Sequence, residues 1–280
     1  MKLRNIFILA LAILTLISCE RRRKQDVVIL YPNWMEGIAM THLADVILRD
    51  KGYITSLKRI EPGPIYAALS RGDADVYMDA WLPNTHQEYW RRFGHRLDVL
   101  GVIFDDGVTG LVVPDYVDIN SIEELNNNKD KFGGKIFGIA AGAGIHANTE
   151  RAITEYGLDF QQISSSETSM LTALRQAESR NEWIIITGWK PHFMWFRHKL
   201  KTLEDPKGIY PNDEIRIVSR LGFRDDQPEI ADFFKKFVLS NDMLGELIND
   251  VESEREPEIG ARKFYEKYKS TFNSWLKEKS

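Results

Sequence analysis

Residues 26–52 read DVVILYPNWMEGIAMTHLADVILRDKG, and this stretch decides the class of fold. DVVILY (26–31) is a short apolar run, the composition of a strand buried on both faces. After Pro32 the period changes. Ala39, Leu43, Val46 and Ile47 fall on one helical face, and Gly52 stops the pattern. A buried strand followed at once by an amphipathic helix is the repeating unit of a parallel α/β sheet. Trp34 stands where the two meet.

The alternation continues along the chain. PIYAALSRG (64–72) opens on proline and closes on glycine, as a helix does. DVYM (75–78), LDVLGVIF (97–104), TGLVVP (109–114), KIFGIA (135–140), EWIIIT (182–187) and EIRIVSRLGF (214–223) read as strands. HQEYWRRFG, IHANTERAITEYG (145–157) and ETSMLTALRQAES (167–179) read as helices between them. Ser121 and Glu124 in SIEEL have the spacing of a capping box. Beyond residue 223 only helical patterns remain. There is no fixed-period repeat and no long Gly/Ser/Pro linker, so two lobes, if present, are joined by strands that cross between them.

The start of the chain is different in kind. MKLRN is basic, IFILALAILTLIS is apolar, and the only cysteine, Cys19, follows. This is the order of a secretory signal, and the apolar run is short for a membrane span. LISC (16–19) resembles the lipobox of bacterial lipoproteins, which implies acylation of Cys19, a signal peptide over 1–18, a tether over 19–25 and an extracytoplasmic, membrane-anchored protein. With one cysteine no intrachain disulfide can form. Of the 280 residues 43% are apolar and 28% charged, enough to bury a core. Removing 1–18 takes away two basic residues and leaves 35 basic against 41 acidic, a net −6. That balance argues against nucleic acid as a partner.

In α/β sheets the binding residues sit at the carboxyl ends of strands. Three strand ends lead into a tryptophan: Trp34 in PNWMEG, Trp81 in AWLPNTH and Trp189 in GWKPH. The reading of IIITGWKP (184–191) is that the strand breaks at Gly188, and that this break, with Pro191 opening a helix, presents the ring. Trp90, Trp183, Trp195 and Trp275 lie within helical or strand patterns and read as packing. A fourth strand end runs into AGAG before a helix beginning near Ile145, whose N–H groups and positive dipole end would suit an anion. AGAG is neither GxGxxG nor a Walker loop, and no cofactor motif appears. Asp75 and Asp79 read as residues flanking a strand. His42, His95, His146, His192 and His198 are scattered without the spacing of a metal site. No GxSxG or related nucleophile motif is present, so an enzyme, such as a surface hydrolase, is the weaker reading. Aromatic faces attract cations that carry no hydrogen-bond donors; a helix N-terminus attracts a carboxylate. A small zwitterion with both groups suits this set.

At these residues the sequence resembles the glycine betaine-binding proteins of bacterial ABC importers. The resemblance runs from about residue 26 to 275 and is carried by NWMEGIAMTHLADVIL, EPGPIYAAL, GDADVYMDAWLPNTH, GLVVP, AGAGIHANTERAI, IIITGWKPHFMW and LKTLEDPKGIY. It implies a two-lobed periplasmic binding protein type II fold, with 26–107 and 213–280 in one lobe, 108–212 in the other, and the ligand cleft between. It implies a cage of Trp34, Trp81 and Trp189 around a quaternary ammonium, with the ligand carboxylate held by backbone N–H groups at Gly144 and Ile145 and by His86. It implies a monomer that delivers glycine betaine to a permease driven by a cytoplasmic ATPase; choline, carnitine and proline betaine are the alternative ligands.

Overall fold

The computed structural model describes residues 26–277. The signal segment and the whole tether over 19–25, Cys19 included, lie outside the described residues. Among the described residues nine strands form one sheet: β1 (Val27–Tyr31), β2 (Thr55–Arg59), β3 (Val76–Leu82), β4 (Leu97–Pro114), β5 (Lys135–Gly138), β6 (Gln161–Ser164), β7 (Ile186–Lys190), β8 (Leu200–Thr202) and β9 (Asp213–Arg220). Their order is β2-β1-β3-β9-β4-β7-β5-β6, with β8 beside β4.

In the first half of the sheet β2, β1 and β3 run parallel, with helices Met35–Asp50 and Pro62–Arg71 between them in the chain, as the 26–52 pattern requires. All seven residues of β3 are buried. One small core (Leu30, Ile65, Tyr66, Tyr77, Leu82, Val218) lies under helix 62–71. The other face of this half belongs to a larger core that also includes helices 35–50, 241–252 and 257–267 and extends into the second half. There β5 runs parallel to both β6 and β7.

LDVLGVIF and TGLVVP are not two strands but one of 18 residues. Its first part pairs antiparallel with β9 from Leu97 to Gly107, through three register shifts. Its second part pairs antiparallel with β7 from Val108 to Val112. The bulges bend and twist the strand, so one continuous ladder serves both halves of the sheet. Gly107 marks the change of partner, and a Cβ there would stand 2.9 Å from the Asp213 carbonyl oxygen.

Three local expectations are corrected. The strand expected over 182–187 occupies Ile186–Lys190 and runs through Gly188, which sits opposite Gly110. Gly188 is there because a Cβ would meet Val112 at 2.5 Å, not because the strand ends. Pro191 opens no helix; the next helical turn is Met194–Arg197. Asp79 does not flank a strand but lies inside β3, fully buried.

Candidate functional site

Trp34 caps the N-terminus of helix 35–50, while Trp81 and Trp189 are the next-to-last residues of β3 and β7. All three rings are at least nine-tenths buried. They line one narrow cavity, and His86, Gly144 and Ile145 line it too. The structure thus brings together all six residues singled out in the sequence, three from the first half of the sheet and three from the second.

The loop after β3 is wired to the strand it leaves. The Asp213 carboxylate accepts the backbone N–H groups of Asn84 (2.6 Å) and Thr85 (2.9 Å). His86 folds back onto Trp81: its N–H donates to the Trp81 carbonyl at 2.8 Å, and its Nδ1 accepts the Trp81 N–H at 3.0 Å. Because Nδ1 is the acceptor, the proton of the neutral ring sits on Nε2. The ring is neutral because burial pushes its pKa down to about 3. Nε2 has no partner among the described residues. It is therefore a buried N–H donor left free at a cavity wall.

Opposite it, helix Gly144–Glu155 begins with Gly144 and Ile145 in its first turn, where backbone N–H groups have no intrahelical acceptor. Gly144 presses on the His86 loop so closely that a Cβ would stand 2.0 Å from the Thr85 carbonyl oxygen. The Tyr89 hydroxyl donates to the Gly142 carbonyl at 2.7 Å, and the Met35 N–H donates to Glu167 at 3.1 Å. These contacts clasp the cavity between the two halves.

The tryptophans are backed by acids. Trp81 donates its indole N–H to Asp79 at 2.8 Å. Burial raises the Asp79 pKa well above the usual carboxylate range, the Trp81 bond opposes the rise, and Glu167 adds to it. Glu167 accepts from Met35 and pairs with His192 at 3.0 Å. The His192 ring meets Trp189 edge-on at 4.7 Å between centroids. The Trp189 carbonyl is held by the Trp195 indole N–H at 2.7 Å, so Trp195, expected only to pack, also fixes a cavity-lining residue.

Sequence reasoning missed five lining residues: Glu36, Thr85, Thr109, Ile139 and Ala143. Glu36 stands two places after Trp34 in NWMEG, where an acid in a first helical turn has an ordinary dipole explanation. Its burial gave no sign in the sequence. Thr85 and Thr109 each leave a buried hydroxyl without a partner among the described residues, which only the assembled cavity reveals.

Chemically the cavity has two ends. Aromatic faces with acids behind them suit a cation that carries no donors. Free N–H and O–H groups at His86, Thr85 and the start of helix 144–155 suit an anion.

Residues 25–267 match the family described as the substrate binding domain of ABC-type glycine betaine transport systems. The chain is 34% identical over 144 residues to the glycine betaine/carnitine transport binding protein GbuC of Listeria monocytogenes, a stretch covering 50% of this chain and 48% of that protein, so it spans about half the length of that relative. Among solved structures, lactococcal OpuAC in its closed-liganded conformation with glycine betaine is 30% identical, with a TM-score of 0.85 over 90% of this chain and 99% of that one. The glycine/betaine/L-proline-binding protein ProX of Borrelia burgdorferi is 32% identical, with a TM-score of 0.86 over 90% and 97%. The expected α/β architecture of periplasmic binding proteins is borne out by these overlays.

Proposed function

The chain belongs to the family of substrate binding domains of ABC-type glycine betaine transport systems, and from that membership we infer that it captures glycine betaine in the cavity between the two halves of its sheet and delivers it to a permease. In this reading Trp34, Trp81 and Trp189 enclose the trimethylammonium group. The carboxylate takes the free N–H groups of Gly144, Ile145 and His86. The observation that carries the reading is the pairing, in one cavity, of three buried tryptophans with side-chain donors on His86, Thr85 and Thr109 that have no partner among the described residues.

Residues 26–107 and the described residues from 213 onward form one lobe and 108–212 the other. Ligand contacts come from both, so binding favours their approach, since only the closed state makes both sets. The protein works outside the cytoplasm, held to a membrane through acylated Cys19, as a monomer that meets its permease in the loaded, closed form.

Tryptophan fluorescence of the protein beginning at Glu20, titrated with glycine betaine and separately with choline, tests this. A saturable change with glycine betaine that choline does not match is expected. A response to choline alone would leave the cage standing and remove the carboxylate site. No response to either would overturn the ligand assignment.

A further inference from the structure

Glu36 is the one acid that lines the cavity. Its residue is 1% exposed, and its Oε2 has no hydrogen-bond partner among the described residues. It enters from the first turn of helix 35–50, two residues from Trp34. Asp79 faces it from β3 and Glu167 from helix 167–179. The Trp189 indole N–H, from β7, is near enough to favour its charged form but does not reach hydrogen-bond geometry, since it too is without a partner. His192 reaches Glu167 through Nε2 while its Nδ1 accepts the Met194 N–H; among the described residues no lysine or arginine pairs with Glu36, Asp79 or Glu167.

A buried carboxyl with a free oxygen, two acids at its back and no cation is in poor surroundings for a charge. An apolar side chain would suit an empty cavity better. The same carboxyl is well placed if a cation occupies the cavity, because a fixed positive charge within a few ångströms favours the ionised form.

We propose that Glu36 is a fourth, acidic wall of the cage: its free Oε2 supplies the counter-charge to the ligand's quaternary ammonium, and its proton leaves to solvent as the ligand enters. The proposal rests on the betaine reading above and deepens it. The acid is a specificity device, separating a cation from a neutral group of the same shape, which indole faces accept on area alone. Its direction follows from the packing. Burial, then Asp79, then Glu167 raise the Glu36 pKa in the empty protein, and its own backbone N–H and Trp189 oppose the rise. The bound cation lowers it again. Between the bound and free values binding releases a proton, so affinity rises with pH through that window and is level on either side. The other titratable group on the cavity wall, His86, stays neutral throughout the range in which carboxyls raised by burial titrate.

The test is titration calorimetry of the wild-type protein with glycine betaine, in buffers of different ionisation heat, between about pH 5 and 9. Glu36→Gln and Asp79→Asn are measured beside it, and 3,3-dimethylbutanoate serves as the isostere without the cation. We expect wild type to release up to one proton per ligand and to tighten with pH. Glu36→Gln should bind roughly tenfold more weakly at the upper end, as one well-placed charge contact is worth about 1.4 kcal/mol or more. It should release no proton, show a flat pH profile, and prefer glycine betaine over the isostere by a smaller ratio. Asp79→Asn should still release a proton. Wild type that binds glycine betaine with no proton release at any pH overturns the proposal without touching the betaine assignment, and this holds even if Glu36→Gln does not fold. So does proton release that persists in Glu36→Gln. Wild type that binds no glycine betaine overturns the underlying reading instead.

Discussion

Trp81 and Trp189 hold corresponding places, each the next-to-last residue of its strand and each followed two residues later by proline, yet the chain fixes them differently. The Trp81 indole N–H donates to Asp79, and its backbone is tied to His86 through both N–H and C=O. The Trp189 indole N–H has no partner among the described residues, and outside its strand ladder the backbone is held by Trp195. The rest of each wall follows suit. The first carries the Asp213 clamp on Asn84 and Thr85. The second approaches the cavity through glycines, Gly144 against Thr85 and Gly188 against Val112. The first wall ties its tryptophan through indole and backbone together, whereas the second ties Trp189 outside the ladder only at its carbonyl and relies on close backbone approach. Damage to the first should therefore spread into stability, and damage to the second should stay local to the cavity.

The sharpest break is at Gly144. Alanine there puts a methyl group 2.0 Å from a backbone oxygen, a clash no rotamer relieves. Either the helix end or the Thr85 loop must withdraw, and the clasp opens. Overpacking of this kind costs about 1–3 kcal/mol, so Gly144→Ala should weaken glycine betaine binding by roughly tenfold to a hundredfold in a fluorescence titration. Because opening the clasp relieves the clash without unfolding either wall, Tm should hardly move. A large fall in Tm with binding retained would mean the two walls do not differ in the way described.

His86 tests the networked wall. Replacing it with alanine removes a donor aimed at a charged group, worth about 1.5–3 kcal/mol, and also the acceptor for the Trp81 N–H. Binding should fall about tenfold or more, and Tm should fall with it. The buried ring also sets an acid limit. Its pKa in the folded protein, about 3, lies below the unfolded value. Between the two the unfolded chain takes up a proton that the folded chain cannot, so this contribution is complete above about pH 6.5 and is lost as pH falls toward 3. Urea unfolding at several pH values should show that slope in wild type and a shallower one in His86→Gln.

Substituting phenylalanine at the two tryptophans compares the walls directly, since an aromatic face survives at both sites. Trp81→Phe strands Asp79 Oδ1 beside an Oδ2 that is already unpartnered, a loss of about 1–3 kcal/mol. Trp189→Phe breaks no hydrogen bond made by its indole. Thermal unfolding should separate them by several degrees, at about 2–4 °C per kcal/mol for a domain near this size, with Trp81→Phe lower. Equal Tm values would remove the distinction.

Much of this site was legible from the chain because its loudest elements are punctuation. Tryptophans after apolar runs and a glycine turn before a helix stand out against a strand-helix rhythm. The errors lie where a residue serves a distant partner. Gly188 read as the end of a strand because glycine usually interrupts one, whereas it makes room for Val112 across a ladder. Asp79 read as a flanking residue because carboxylates are rare inside buried strands, whereas the Trp81 N–H gives it a reason to be there. β2 and β6 escaped notice because they are short and contain no fully buried residue, so they carry no strong apolar period. His86 had no signal of its own; the resemblance supplied it, since a histidine five residues past Trp81 reaches the cavity only through the turn that the Asp213 clamp holds.

The smallest expected effect bears on the seam between the walls. The Tyr89 hydroxyl reaches from the first half of the sheet to the Gly142 carbonyl, just before the helix that presents Gly144, while its ring stays stacked on Tyr66 at 5.4 Å. Tyr89→Phe keeps the stack and removes only the bridge, worth about 0.5–1.5 kcal/mol. If the bridge forms only when the halves come together, that energy belongs to the liganded state, and affinity should drop about twofold to tenfold with Tm of the empty protein unchanged. If it is present whether or not ligand is bound, it cancels from the binding equilibrium, and the loss should appear as a lower Tm with affinity intact. The two readouts cannot both stay still unless the bridge contributes nothing, in which case the clasp rests on Gly144 against Thr85 and on Met35 against Glu167.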